Sequence, residues 1–374
     1  MNKKEVLELR KQFTPERCAI TRICGCYVNH EKEKKTELKK AFLSLPEEES
    51  FKYFDIFRHT LSGTIGKNLL NMEFPLKQEM PGGTQEFLLK MLASKLTDEL
   101  LLEEFYDKII ENYEYAENYY IILIHAAYDV PGKASDGEEM FDSSDTVYEY
   151  LLCSICPVNL TKAGLTYNAE TNNIEDRTRD WLVEAPLNGF VFPAFNDRAS
   201  DIHSILYYTK KAEEIQPEFI DTVLGSAIPL TAGDQKASFQ TIVSDTLGKD
   251  CNYETVRNIH DNICDMLEEA KELPDPVELS KPDVKRLLEK SGVPEEKLAS
   301  FDSQFEEIAR GQESFLASNI VNTKTFQLET PDVIIKVNPE RSDLVEIREI
   351  GGRKCLVVAI DEHLEVNGIE VHEL

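Results

Sequence analysis

The sequence predicts an α+β protein with a mixed, mainly antiparallel central sheet, flanking helices and a small C-terminal β unit. The apolar run 119–128, followed by Pro131 and Gly132, suits a strand that is buried on both faces. Strand-like segments between 181 and 208 follow one another too closely for crossover helices, so antiparallel pairing is favoured there. From residue 333 onward, short apolar segments separated by Gly and Pro indicate small hairpins.

Residues 1–70 are predicted to form a basic unit that combines a strand hairpin with a helix. Segment 18–29 is rich in β-branched and small apolar residues, and segment 37–45 follows a charged turn as a returning strand. Phenylalanines then recur at helical spacing before Gly63, which indicates a helix that ends there.

Two further domains are predicted, over 71–272 and 273–374. The segment 71–84 is rich in Pro and Gly and separates the basic unit from a central α+β domain. That domain begins with a helical pattern over 85–115. The linker Leu273–Pro276 then leads into a helical hairpin and the C-terminal β unit.

Charge is distributed unevenly along the 374 residues. The chain holds 41 Lys and Arg against 69 Asp and Glu, a formal net charge of −28. Residues 1–67 carry a net charge of +4, so the remaining 307 residues carry −32. This acid excess disfavours nucleic acids and anionic membranes as partners, because both are negative. The two oppositely charged parts also suggest association with each other, within one chain or in a homo-oligomer.

Several features predict a cytoplasmic protein with no membrane segment. The N-terminus lacks the apolar core of a signal peptide. The longest apolar run has 12 residues, whereas a membrane helix needs about 20. Eight cysteines in a chain of this length predict reduced thiols rather than a disulfide scaffold.

The segment Phe192–His203 concentrates residue types that perform acid–base chemistry. Asp197, Arg198, Asp201 and His203 lie within seven residues, between two apolar segments. Asp and His transfer protons or bind a divalent ion, and Arg holds a phosphate or a carboxylate. Because loops on a rigid sheet often carry catalytic residues, these four are the candidate catalytic set. The alternative is a local turn in which Arg198 pairs with Asp201.

Two cysteine pairs resemble half-sites for zinc. Cys24 and Cys26, together with Cys153 and Cys156, would supply four thiolates. Both pairs lie in apolar strands, where residues three apart point to opposite faces. Buried reduced cysteines are therefore favoured over a metal site.

The segment Ser62–Lys67 resembles a phosphate-binding loop. It has two residues rather than four between its glycines, and Asn68 stands where the Mg²⁺-binding hydroxyl is required. The end of a helix followed by a turn is the favoured interpretation. The sequence names no cofactor.

A lysine cluster in the basic unit is the candidate contact for nucleic acid. Its members are Lys32, Lys34, Lys35, Lys39 and Lys40. Interleaved Glu residues dilute this charge, and the cluster has one aromatic neighbour for stacking on a base. The alternative is the solvated tip of a hairpin.

Two residues with polar rings are predicted to lie in the core. His125 lies within an apolar strand, and Trp181 is the sole tryptophan of the chain. Both are interpreted as packing residues rather than as ligands.

Five segments resemble an uncharacterised bacterial family of Firmicutes, domain-of-unknown-function family 4317. They are Cys18–Val28, Leu61–Pro75, Cys156–Leu160, Phe192–Ser204 and Val333–Glu340. The resemblance spans nearly the whole chain. It implies a cytoplasmic bacterial protein and supplies no activity, cofactor or catalytic residue.

The favoured function is that of a non-catalytic cytosolic binding or scaffold protein, because the sequence carries no known catalytic motif. One alternative is a hydrolase that acts on a phosphorylated or nucleotide substrate, with its site around Asp197–His203. Another is nucleic-acid binding through the basic N-terminal unit.

Overall fold

The described chain divides into two compact units, Met1–Ala232 and Gly233–Leu374. A computed structural model describes residues 1–133, 139–140, 146–309, 313–361, 363–366 and 368–371. The division differs from the three predicted segments. Strands of the predicted N-terminal unit share a sheet with strands of the predicted central segment, and the last two helices of that segment belong to the second unit.

The first unit contains five α-helices and fourteen strands among the described residues. The helices are α1 (Lys3–Arg10), α2 (Glu47–Thr60), α3 (Leu76–Glu79), α4 (Thr84–Ala93) and α5 (Glu99–Asn112). The strands are β1 (Ile20–Val28), β2 (Lys34–Ala41), β3 (Leu69–Glu73), β4 (Tyr119–Val130), β5 (Gly132–Lys133), β6 (Glu139–Met140), β7 (Thr146–Leu160), β8 (Leu165–Asn168), β9 (Asn173–Asp176), β10 (Trp181–Val183), β11 (Asn188–Phe192), β12 (Ala194–Asn196), β13 (Ala199–Asp201) and β14 (Ser204–Thr209).

An antiparallel sheet forms the centre of this unit and confirms the predicted fold class. Within the described residues it has eight strands, in the order β2-β1-β4-β7-β11-β14-β3, with β10 paired to the end of β7. The long strands β4 and β7 pair from Tyr119↔Pro157 to Val130↔Thr146. Both strands are largely buried, as expected for apolar runs that have a layer on each side.

Alternate residues of the sheet enter two separate cores. On one face, Leu123 and Cys153 pack with apolar residues of α4 and α5. On the other face, Ile122 and Leu152 pack with apolar residues of α1 and α2. The sheet is therefore the middle of three layers, which explains why its central strands are mainly apolar on both faces.

A buried polar network crosses the first of these cores. The Tyr113 hydroxyl donates to Asn188 Oδ1 at 2.7 Å, and Asn188 Nδ2 donates to the Tyr207 hydroxyl at 2.7 Å. The nearby Tyr106 is also fully buried, but its hydroxyl has no hydrogen-bond partner among the described residues. Burial raises the pKa of Tyr106 and of Tyr113 far above the ordinary value, so both phenols are neutral.

Two elements differ from the sequence-based assignment. The segment 71–84 was predicted to be a loop, but its first three residues belong to strand β3. This strand pairs with β14 at the edge of the sheet. The helix predicted over 85–115 is two helices, because Lys95 and Leu96 adopt positive φ angles of 50° and 59° between them. Neither residue is Gly, and Asp98, the N-cap of α5, was the one local indication of a new helix.

A two-stranded ribbon continues beyond the sheet from the end of β7. It ends in the β8–β9 hairpin, where Leu165, Tyr167 and Ile174 share one face and are 76%, 59% and 57% exposed. Trp181 on β10 is 57% exposed, so its predicted core position is wrong. Its strand pairs with the end of β7 at the start of the ribbon, where solvent reaches the indole ring.

The second unit is built from six α-helices and eight short strands among the described residues. The helices are α6 (Ala232–Leu247), α7 (Tyr253–Glu269), α8 (Lys281–Lys290), α9 (Glu295–Leu298), α10 (Phe301–Ile308) and α11 (Ala317–Ile320). The strands are β15 (Glu278–Ser280), β16 (Ser314–Leu316), β17 (Phe326–Glu329), β18 (Ile334–Val337), β19 (Val345–Ile350), β20 (Arg353–Val358), β21 (Leu364–Val366) and β22 (Ile369–Val371), which pair as four hairpin-like ladders. These ladders confirm the predicted C-terminal β unit. No helix among the described residues is both long and apolar enough to cross a lipid bilayer.

Candidate functional site

The predicted catalytic segment is a tight two-residue hairpin turn. Asn196 pairs with Ala199 across β12 and β13, and Asp197 and Arg198 form the turn between them. Both turn residues have positive φ angles, 52° and 58°, as a type I′ turn requires. Asp tolerates this conformation better than Arg does, so contacts of the Arg198 side chain must hold the turn.

The Arg198 side chain contacts Glu8 on helix α1. The Arg198 guanidinium forms a two-pronged ion pair with Glu8, with Nε at 3.2 Å from both carboxylate oxygens and Nη2 at 3.0 Å from Oε1. It also donates to the Pro131 carbonyl at 3.1 Å, and the Tyr128 hydroxyl donates to Glu8 Oε1 at 3.0 Å. Both charged side chains are less than a fifth exposed. The turn is thereby fixed to α1.

The other two predicted catalytic residues make different contacts. Burial alone would raise the pKa of Asp201, but hydrogen bonds from Ser204, Asn196 and the His203 backbone hold that pKa below its ordinary value. The His203 ring lies 2.7 Å from a Glu79 oxygen, which raises the pKa of His203. The His203 imidazole therefore pairs with Glu79, whereas the Arg198 guanidinium pairs with a different carboxylate, that of Glu8. A hydrolase site around these residues stays a prediction.

The four cysteines of the zinc interpretation lie on two faces of the sheet. Cys24, Cys26 and Cys153 belong to the core beneath α4 and α5, and Cys156 belongs to the opposite core. Burial raises the pKa of all four thiols, that of Cys26 to about 12. Zinc needs its ligands around one point, and Cys156 lies on the opposite face of the sheet from the other three, so the four sulfurs do not converge. In the part of the chain that the structure describes, no group of three or more His, Cys, Asp or Glu is placed to hold a metal ion.

The segment that resembles a phosphate loop is the turn between α2 and β3. The Thr64 carbonyl accepts from the backbone N–H groups of Lys67, Asn68 and Leu69 at 2.9–3.2 Å. Gly63 has a φ of 103°, and a Cβ there would approach Asn68 to 2.5 Å. Gly63 and Gly66, both with positive φ angles, thus allow a compact turn after the helix, as the favoured interpretation predicted.

The N-terminal lysine cluster lies at the edge strand β2 and the turn before it. Lys34 pairs with Glu103 and Asp107, Lys35 with Glu33, and Lys39 with Glu37 at 3.0 Å. Three of the five lysines of the cluster are thus paired with carboxylates within the unit. Lysines along an exposed edge strand also discourage pairing with another chain. Nucleic-acid binding through this cluster stays a prediction.

A pocket of about 590 Å³ within the second unit offers a different candidate site. Its floor consists of buried apolar side chains from α6, α7, the end of α11 and the start of β17. They are Phe239, Val243, Ile259, Ile263, Ile320 and Phe326. Exposed polar residues form the rim: Lys236, Gln240 and Ser244 on α6, and Gln327, Glu329 and Lys336 on the β17–β18 hairpin. An apolar floor under a polar rim is the usual composition of a ligand pocket.

Helical spacing explains how the sequence builds this floor. Residues 239 and 243 on α6, and 259 and 263 on α7, each repeat at intervals of four and so lie on one face of their helix. On the hairpin, Gln327 pairs directly with Lys336, which places both side chains on the same face.

Hydrogen bonds and ring contacts hold the pocket walls together. Buried Gln235 on α6 accepts from the Leu316 backbone at 3.0 Å and from Asn319 Nδ2 at 3.1 Å, which ties α6 to α11. The His260 ring on α7 packs edge-on against Phe326 with centroids 4.9 Å apart, which ties α7 to β17. These contacts fix the walls from inside the unit.

A cysteine, a histidine and an aspartate lie close together on α7 near this pocket. Cys264 Sγ is 3.7 Å from His260 Nδ1, and Asp261 Oδ1 is 3.4 Å from the same nitrogen. Burial, with the nearby Asp261 and Asp265 charges, raises the pKa of Cys264 to about 11. A nucleophilic cysteine requires a lowered pKa, so this set lacks an activated thiolate.

Sequence reasoning missed this pocket. Its lining comes from segments that are far apart in the chain, with Lys236 and Lys336 separated by 100 residues. The one available signal was Lys236 beside the apolar face of α6, which is an ordinary arrangement for an amphipathic helix.

Comparisons with known proteins agree with the resemblance noted in the sequence. No curated protein matched the chain. The model of one family, described as Domain of unknown function (DUF4317), matches residues 1–369. This match covers nearly the full length and includes both structural units. The chain therefore belongs to the DUF4317 family.

Proposed function

We propose that this protein is a non-catalytic binding protein whose ligand site is the pocket between α6, α7 and the β17–β18 hairpin. The observation that carries the proposal is the buried apolar floor beneath an exposed polar rim. A volume of about 590 Å³ falls within the range of small-molecule sites, about 300–1,000 Å³. The ligand class is therefore a small molecule rather than a folded partner.

The internal contacts of the pocket walls support a site that exists before the ligand arrives. Gln235 and His260 link the four lining elements in two pairs, α6 with α11 and α7 with β17, through contacts that do not involve the rim. A preformed site loses less conformational entropy on binding than one that must order itself.

The titratable groups beside the pocket support binding rather than catalysis. The Cys264 thiol near the pocket stays protonated at neutral pH, since its pKa is raised to about 11. The four residues of the predicted hydrolase site make their contacts in the first unit.

A neutral fluorescent probe tests the proposal without assuming the charge of the ligand. Nile red should bind the purified full chain with a rise in emission. Val256, which lines the pocket and is 40% exposed, should tolerate Val256→Trp while the indole fills the space. That variant should weaken probe binding at least fivefold.

Val333→Trp is the matched control, because Val333 is 50% exposed in the same unit and does not line the pocket. It should bind the probe as the unchanged chain does. Equal binding by both variants would place the probe elsewhere and refute the proposed site, and absence of binding to the unchanged chain would refute it as well.

A further inference from the structure

The charges on the pocket rim are unusual for this unit. Residues 233–374 hold 16 Lys and Arg against 30 Asp and Glu. Many of these cations are already paired, as Lys281 is with Asp302 and Glu306. The two rim lysines, Lys236 and Lys336, have no carboxylate partner within the described part of the chain.

The one carboxylate on the rim offsets only one of these two positive charges. Glu329 Oε2 accepts a hydrogen bond from Gln327 Nε2 at 3.1 Å, and Gln327 lies directly opposite Lys336 on the hairpin. Among the described contacts Glu329 makes this amide bond and no ion pair with Lys336, so the Lys336 ammonium keeps its three donors for another acceptor. The rim thus carries a local positive charge in a unit of net charge −14.

We infer that the pocket takes an amphiphilic anion, with a carboxylate or phosphate head held by Lys236 and Lys336 and an apolar body on the buried floor. This inference rests on the proposed function and adds the ligand class to it. Ammonium groups bind either head as point charges, so the two lysines define the sign of the charge rather than the geometry of the head.

The floor sets how affinity depends on the length of the apolar body. Phe239, Val243, Ile263 and Phe326 present buried apolar surface. Each methylene that leaves water for such a surface should raise affinity about fourfold, until the pocket is full. A short-chain acid such as butyrate should bind far more weakly than decanoate.

Four ten-carbon probes test the inference on the full chain by titration calorimetry below their micelle concentrations. Decanoate and decyl phosphate should bind, and their ratio identifies the preferred head. Decanol and decylamine should bind about tenfold more weakly or not at all. Added salt should weaken decanoate more than decanol, because exposed charges are screened.

Charge-removing variants connect this preference to the rim. Lys236→Ala and Lys336→Ala should each weaken decanoate about fivefold to tenfold and leave decanol unchanged. Glu329→Gln should strengthen decanoate. Lys324→Ala is the control, because Lys324 is exposed near the pocket but does not line it.

The outcomes separate this inference from the proposed function. If decanol binds as tightly as decanoate, and the lysine variants change nothing, the pocket binds ligands but the anion preference is wrong. If none of the probes binds and Nile red does not bind either, both the ligand class and the binding function are wrong.

Discussion

Two buried tyrosines, Tyr106 within α5 and Tyr113 directly after its end, should differ in how loss of the hydroxyl changes the stability of the fold. Tyr113→Phe removes the donor to Asn188 Oδ1, a bond of 2.7 Å in a fully buried network. The amide oxygen then stays buried without that donor, which should cost about 1–3 kcal/mol of unfolding free energy. Tyr106→Phe removes a hydroxyl that has no partner among the described residues, so stability should stay the same or rise by about 1 kcal/mol.

Thermal and urea unfolding, followed by circular dichroism, measure this difference. For a unit of this size, 1 kcal/mol shifts Tm by about 2–4 °C, so Tyr113→Phe should lower Tm by about 4–8 °C for a loss near 2 kcal/mol. Both changes delete one oxygen atom from a buried ring, so packing loss is matched. A loss for Tyr106→Phe as large as that for Tyr113→Phe would contradict an unpartnered hydroxyl and would instead indicate a water bound to it.

The other predictions concern one histidine and one ion pair of the first unit. Burial lowers the pKa of His125, whose Nδ1 lies 2.7 Å from Thr21 Oγ1. Below about pH 6.5 the unfolded chain therefore binds a proton that the folded chain refuses, and unfolding free energy should fall by up to about 1.4 kcal/mol per pH unit. His125→Gln should flatten the pH 5–6.5 part of a stability profile, and identical profiles would contradict a depressed pKa. Glu8→Gln should cost about 1.5–3 kcal/mol, since it breaks the ion pair that holds Arg198 in its turn, whereas Glu16→Gln on the exposed surface should cost nothing measurable in the same unfolding assay.

Strong local patterns in the sequence predicted the centre of the fold. The run 119–128 became the buried strand β4, and His125 within it is fully buried, as predicted. An apolar run of this length is visible in the sequence itself, so the strand could be predicted without knowing its partners in the sheet. The prediction for Trp181 was wrong because burial of this residue depends on whether another layer covers the ribbon. The hydrophobicity of the side chain does not determine that.

The breaks between elements were harder to predict for a related reason. Lys95 and Leu96 interrupt a continuous helical pattern through positive φ angles that neither residue favours. Leu96 is buried, and its carbonyl lies 3.8 Å from Cys24 Sγ on β1, so tertiary packing accompanies the strained backbone. Asp197 and Arg198 repeat this pattern, with the Glu8 ion pair as the compensating contact.

Clustering along the sequence was a poor guide to available charge. Lys34 lies in a dense run of lysines, yet Glu103 and Asp107, about seventy residues away, neutralise it. Lys236 and Lys336 are isolated in the sequence, yet they line the same pocket. Exposed charges act over about 8–10 Å at physiological ionic strength, so the total of −28 governs solubility and approach, while the nearest few groups decide what a pocket binds. An acidic chain can therefore carry an anion site, provided that its local cations lack partners.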